Sequence, residues 1–209
     1  MKFLLILLFV IPQFSYGQGS SKVKKLLGRA LEFEQKGNIE GAIKLHKKVL
    51  GIDHGSYQSA NTIAGLYGQI GKFSDEIPWA QKAIKINPKY SMGYINLGNG
   101  YFGNGDVKNA ELCYKKADSL DSQGPYAPYS LGVIEEKKGN FKAAISYYEQ
   151  SISRDPNFEN GYYNLAAAYA NIKDYKNANK SILKVLELNP NAKDAQELHE
   201  HIILEILRH

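Results

Sequence analysis

A single cysteine, Cys113, is all the thiol chemistry this chain of 209 residues possesses. No disulfide can form within it, so its stability has to come from an apolar core. Cys113 falls mid-helix in the reading below and is taken as a small packing residue rather than a reactive thiol. Charge of one sign is also scarce. Lys plus Arg number 26 against 21 Asp plus Glu, a formal net charge of +5. The cations are spread along the chain; one cluster, Lys22, Lys24, Lys25 and Arg29, reads as a solvated helix start. No segment has the pattern of a nucleic-acid-binding module. Long apolar runs are missing after the first residues, so no later segment is expected to span a bilayer. The one run, residues 3–11, follows Lys2, is broken by Pro12 and leads to Ser15-Tyr16-Gly17. That is the pattern of a secretory signal peptide cleaved after Gly17, with retention as an N-terminal anchor the alternative. No cysteine follows the run, which excludes a lipoprotein anchor. Cleavage would remove one cation, Lys2, and take the formal charge from +5 to +4. The expectation is a secreted or periplasmic protein with no membrane span after cleavage.

Catalytic and metal-binding patterns are absent as well. The five histidines are His46, His54, His199, His201 and His209. None has a metal-ligand spacing. His199 and His201 would lie about 200° apart around a helix, a poor geometry for one metal. No phosphate-cradling glycine loop and no Gly-x-Ser-x-Gly elbow occurs. The expectation is a protein that is not an enzyme and needs no cofactor or metal.

What the chain does have is a period. Tyr162, Leu165, Ala166, Tyr169, Ala178, Val185 and Pro190 recur as Leu131, Gly132, Gly139, Ala144, Tyr148 and Pro156 one period earlier. Before them come Tyr94, Leu97, Gly98, Tyr101, Gly105, Ala110, Tyr114 and Ala117, then Ala60, Ile63, Ala64, Tyr67, Gly71, Ala80, Ala83 and Pro88. The first copy is Leu26, Ala30, Phe33, Gly37 and Ala42. The spacing, 34 residues, resembles that of the tetratricopeptide repeat, a helix–turn–helix unit. Five units run without insertion over 23–56, 57–90, 91–124, 125–158 and 159–192, after a linker at 18–22 and the signal segment at 1–17. The resemblance implies an all-α, right-handed superhelical solenoid closed by a capping helix at 193–209, and one continuous domain.

Within a unit numbered 1 to 34, positions 4, 7, 8 and 11 share one face of the first helix. Positions 8 and 20 are small because two helices cross there. Position 15 is Gly37, Gly71, Gly105 and Gly139, suited to the left-handed turn after a helix. Lys173 in the fifth unit predicts a turn that is either slightly strained or built differently. Position 32 is Pro88, Pro156 and Pro190, which ends the second helix; His54 and Ser122 predict softer ends in two units. In the second unit Glu76 takes the small position and is expected to tilt toward solvent. Its helix is predicted to start at Ser74 or Asp75, with Pro78 in the first turn. In the capping helix Ala195, Leu198, Ile202, Ile203, Ile206 and Leu207 make the apolar stripe. Leu204 lies among polar residues and is a candidate for self-association through that helix.

The resemblance also implies that positions 2, 5, 6, 9, 12 and 13 line a concave groove. The candidate residues are Asn61, Met92, Asn96, Asn99, Tyr126, Tyr129, Asn160, Tyr163, Asn164 and Asn171. The carboxylate clamp of chaperone adaptors needs cations that are missing here. The best frame offers Asn61 and Gly65, then Asn96, then Tyr126 and Ser130, and only Asn96 matches. Asn side chains can pair with the main chain of an extended peptide, and tyrosines add flat contact area. Three readings of these residues stay open: a peptide groove, a merely solvated surface, and a glycan face. The expected function is an exported protein-interaction scaffold for a protein or peptide partner. The alternative is a cell-envelope accessory that contacts glycan or peptidoglycan.

Overall fold

A computed structural model describes residues 20–208. The signal segment, its cleavage point and His209 lie outside them. Among the described residues there are eleven helices and no strand. They come as pairs: α1 (Ser21–Gln35) with α2 (Ile39–Ile52), α3 (Tyr57–Gln69) with α4 (Phe73–Ile86), α5 (Ser91–Gly103) with α6 (Val107–Leu120), α7 (Tyr126–Lys137) with α8 (Phe141–Arg154), and α9 (Glu159–Asn171) with α10 (Tyr175–Leu188). A last helix, α11 (Lys193–Arg208), follows. Among the described residues none is long and apolar enough to cross a membrane.

The helices divide into two compact units that meet in sequence between Cys113 and Tyr114. In the first, each helix from α1 to α5 packs on the next, and α3 also lies against α5. Ala42, Leu50, Ala60, Ile63, Leu66 and Ala83 form one part of its core, and Ala64, Ala80 and Leu97 another. Cys113 is partly buried against the latter, and burial pushes its thiol up to about 11, as befits a packing residue. In the second unit α7 to α11 pack in succession. Its core gathers Ala144, Ile145, Tyr148, Leu165 and Ala168 on one side, and Ala166, Ala178, Ile182, Val185, Ala195 and Ile202 on the other.

The turn within each pair is built the same way. Position 15 is left-handed in all five: Gly37, Gly71, Gly105 and Gly139 have φ between 69° and 84°, and Lys173 has φ 61°. Its N–H and the next one bond back to the helix just ended, as in Gly37 N–H to Glu34 O at 2.9 Å and Asn38 N–H to Phe33 O at 2.8 Å. Lys173 N–H to Ala170 O and Asp174 N–H to Tyr169 O, both 3.0 Å, repeat it. Of the two options for Lys173, the structure adopts the strained one. A side chain in this region costs about 1–2 kcal/mol. Lys173→Gly is therefore expected to stabilise the protein by about 0.5–1 kcal/mol after glycine's own entropy is set against the relief, read as a raised thermal midpoint.

The joints between pairs correct one expectation. The second helices end at Ile52, Ile86, Leu120, Arg154 and Leu188, the same register position in every unit. His54 and Ser122 therefore do not soften their ends. The reason is position 31, which is Asp53, Asn87, Asp121, Asp155 or Asn189. Four of these side chains accept the N–H two residues on: Gly55 at 3.0 Å, Lys89 at 3.1 Å, Gln123 at 3.2 Å and Asn157 at 2.9 Å. Such a turn reverses the chain whether or not proline follows.

Two further expectations are corrected. Helix α4 begins at Phe73, so Pro78 is its sixth residue and lies beyond the first turn. Glu76 is not tilted toward solvent but fully buried. In α11, Ala195 and Ile202 are buried, whereas Ile206 and Leu207 of the expected stripe join Leu204 in being exposed. The start of α1 at Ser21, where the Ser20 side chain accepts the Val23 N–H, falls within the stretch read as linker.

Candidate functional site

The first helices carry the candidate residues. In the first unit, α3 and α5 lie side by side, and Asn96 joins them. Its Nδ2 donates to the Asn61 main-chain carbonyl at 3.1 Å and to Asn61 Oδ1 at 2.9 Å, and the residue is 7% exposed. In the second unit Asn164 Nδ2 donates to the Tyr129 hydroxyl at 3.1 Å, joining α9 to α7. Both bonds run from position 6 of one repeat to position 5 of the repeat before. These donors are spent inside the fold, so Asn96 and Asn164 do not offer them to a ligand as the sequence reading supposed. Asn96→Ala should lower stability by about 1–2 kcal/mol in thermal or denaturant unfolding. In an Asn61→Ala background the same change should cost markedly less.

The tyrosines divide in the same manner. Tyr129 packs edge-on to Phe158, with ring centroids 5.2 Å apart, and against Tyr148 at 5.9 Å. Burial pushes its phenol up to about 12, opposed in part by the hydrogen bond from Asn164. Tyr126 meets Phe158 edge-on at 5.5 Å but is only half-buried. Tyr163 is half-buried too; partial burial raises its phenol, and the carboxylates Asp194 and Glu197 add to that. Met92 and Asn99 are half-buried on α5. Asn160 has a buried Nδ2 without a partner among the described residues, and Asn171 is exposed with its Nδ2 on the Ala167 carbonyl one turn back, at 2.9 Å. The first unit thus presents a first-helix face of amides with Met92, and the second one of amides and half-buried rings.

Position 12 was expected on this face. Instead, in two units its carboxylate turns to position 24 of its own second helix. Glu34 Oε1 lies 2.9 Å from His46 Nε2, and the Tyr148 hydroxyl donates to Glu136 at 2.7 Å. Burial raises the Glu136 carboxyl, partly countered by that hydrogen bond. His46 Nδ1 also lies 3.3 Å from Ser59 Oγ, which accepts from Ser56 Oγ at 3.0 Å. Glu, His and Ser stand here in the order of a nucleophile-activating relay. Ser59 is 1% exposed and His46 3%, so no substrate reaches them, and the trio fastens α1, α2 and α3 together.

The second repeat supplies its carboxylate from elsewhere. Position 12 is Gly68 and position 24 is Ala80, and Glu76 fills the space between. A Cβ added at Gly68 would sit 2.6 Å from Glu76 Oε2. Neither carboxylate oxygen has a hydrogen-bond partner among the described residues. Burial pushes the carboxyl up to about 9, so it is neutral at pH 7. The signal was present in the coincidence of Gly68, Glu76 and Ala80, but only a pairing rule between positions 12, 20 and 24 would have revealed it.

Comparison with known proteins fits this geometry. Over 137 residues, 60% of this chain and 23% of the other, the sequence is 31% identical to heat shock protein STI1 of Saccharomyces cerevisiae. This chain thus spans only 23% of that protein's length. The crystal structure of MamA protein superposes with a TM-score of 0.59 at 26% identity, covering 81% of this chain and 92% of that one. A thermophilic TPR protein in Thermus thermophilus gives a TM-score of 0.76 at 16% identity, over 87% of this chain and 99% of that one, a likeness of fold. Two family models, both described as tetratricopeptide repeat, match residues 95–158 and 137–202. Together they run from residue 95 to residue 202, and over that stretch the chain is made of tetratricopeptide repeats.

Proposed function

We propose that this protein is an exported, non-catalytic interaction scaffold that holds an extended peptide or protein segment on its first-helix faces. The repeats themselves support a scaffold. Export rests on the pattern of residues 1–17. The observation that carries the peptide reading is the division of the candidate residues. Asn61, Asn96, Tyr129 and Asn164 hydrogen-bond from one helix to the next, whereas Tyr126 and Tyr163 are partly exposed and take no part in those ties. Partly exposed tyrosines provide rigid, amphipathic contact area at low entropic cost. A cationic carboxylate clamp is not the means, since Asn61, Gly65, Tyr126 and Ser130 stand where it would need other groups.

The test follows from the same division. Substituting Asn96 or Asn164 perturbs the fold, so a photo-crosslinking amino acid is placed instead at Tyr126 or Tyr163 of the full chain, in producing cells. A protein adduct of defined sequence in the exported fraction is the expected result. Adducts with glycan alone, or none at either position, would overturn the reading, and a protein found only in the cytosol would overturn export.

A further inference from the structure

A second surface on the first unit lies between α2 and the C-terminal end of α3. A cleft of about 520 Å³ is lined by Glu40, Ile43, Lys44, Lys47, Lys48, Tyr67, Ile70 and Lys72. Four cations there face one carboxylate. None of the four lysines forms an ion pair among the described residues, and neither does the neighbouring Lys82. Lys47 Nζ instead lies 5.8 Å from the centre of the Tyr67 ring and 5.3 Å from that of Trp79, with Lys82 Nζ 5.0 Å from Trp79. Its one hydrogen bond in the cleft is a long donation of 3.4 Å to the Tyr67 hydroxyl. Stacked ammonium groups on aromatic faces are held in place but not neutralised. The floor has an apolar component, since Ile43 is buried beneath the cleft and Ile70 is 41% exposed at its edge.

The same register in the second unit provides an internal contrast. A second cleft there is lined by Tyr169 and Glu149, which hold the positions of Tyr67 and Lys47. The Tyr169 hydroxyl donates to Glu149 at 2.8 Å, and Lys184 pairs with Glu187 at 2.7 Å. One scaffold geometry thus carries self-neutralised charge in the second unit and uncompensated positive charge in the first. The repeat does not require the lysines, which points to a ligand.

We infer that the Lys44–Lys47–Lys48–Lys72 cleft binds an acidic peptide segment that also carries an apolar side chain. Carboxylates meet the lysines, and the apolar side chain lies on Ile43, Tyr67 and Ile70. The inference stands apart from the first-helix reading and can hold if that one fails. Trp79 is the only tryptophan of the chain, so its fluorescence reports on the cleft. The probe is a synthetic Glu-rich peptide with one leucine, titrated into the full chain, alongside its Gln counterpart, its Ala-for-Leu counterpart and heparin. The Glu peptide should give a saturable change that weakens as salt rises from about 50 to about 300 mM. The Gln peptide should bind at least tenfold more weakly and the Ala peptide several-fold more weakly. Lys47→Glu with Lys48→Glu should weaken binding at least tenfold, and Lys180→Glu with Lys184→Glu should leave it unchanged. Protection of Lys44, Lys47 and Lys48 from chemical acetylation by the peptide repeats the test on the wild-type chain. Equal response to the Gln peptide, heparin binding as tight as the peptide, or unprotected lysines would overturn the assignment.

Discussion

Glu76→Met is expected to raise the stability of this protein by about 3 kcal/mol at pH 7. Glu76 is fully buried, both its oxygens lack partners among the described residues, and burial pushes its carboxyl up to about 9 from an ordinary 4.5. Folding at neutral pH therefore requires the carboxyl to take up a proton that the unfolded chain does not hold. A group whose folded pKa is raised contributes its full stability below about pH 4.5 and loses it as pH rises toward about 9. The loss runs at about 1.4 kcal/mol for each pH unit. The measurement is the difference in unfolding free energy between wild type and Glu76→Gln across pH 5 to 9, since the difference cancels the other titrating groups. The variant should gain steadily on wild type over that window. A flat difference would mean that the carboxylate finds a partner or water. Gly68→Ala should be destabilising in wild type, because its Cβ would press on the carboxylate, and close to neutral beside Glu76→Ala.

Gly132→Ala is expected to cost about 1–3 kcal/mol, an overpacking penalty from one methyl group. A Cβ at Gly132 would lie 2.5 Å from Cε1 of Tyr148. The ring has nowhere to go: Tyr148 is fully buried, its hydroxyl is held by Glu136, and Tyr129 packs against it. Gly28→Ala is the control. Nothing lies within 4 Å of the Cβ it would gain, so the change should stabilise α1 by up to about 1 kcal/mol. Denaturant unfolding of the two variants should therefore move in opposite directions. A Gly132→Ala midpoint equal to wild type would show that α7 and α8 can separate without penalty.

These two sites show how far a sequence of this kind can be read. Helices, turns and the left-handed position 15 were legible because each depends on one residue type at one place. Gly132 was legible as a small residue but not as the partner of Tyr148, since that takes two positions 16 apart considered together. Gly98 and Tyr114 stand at the same two positions, and where position 24 is His46, Ala80 or Ile182, position 8 is alanine. Glu76 was misread for a related reason. Hydrophobic periodicity assigns a carboxylate to solvent, and only the missing side chain at Gly68 makes room for it inside. The Asx residues at position 31 are masked in the sequence by the proline one residue later, which by itself accounts for a helix end. For the interaction face, the resemblance pointed to the right helices. It does not separate Tyr126 and Tyr163, which are partly exposed, from Asn96 and Asn164, whose side-chain amides donate to a neighbouring helix.

The direction of those amide bonds matters for a chain made one residue at a time. In both ties the donor belongs to the later repeat and the acceptor to the earlier one: Asn96 reaches back to Asn61, and Asn164 back to Tyr129. On a nascent chain leaving the ribosome, the accepting oxygens of Asn61 and Tyr129 stay hydrated until the later repeat arrives with its own latch. N-terminal segments fold first during synthesis. With this polarity, α5 and α9 each carry the group that fastens them to a first helix already formed.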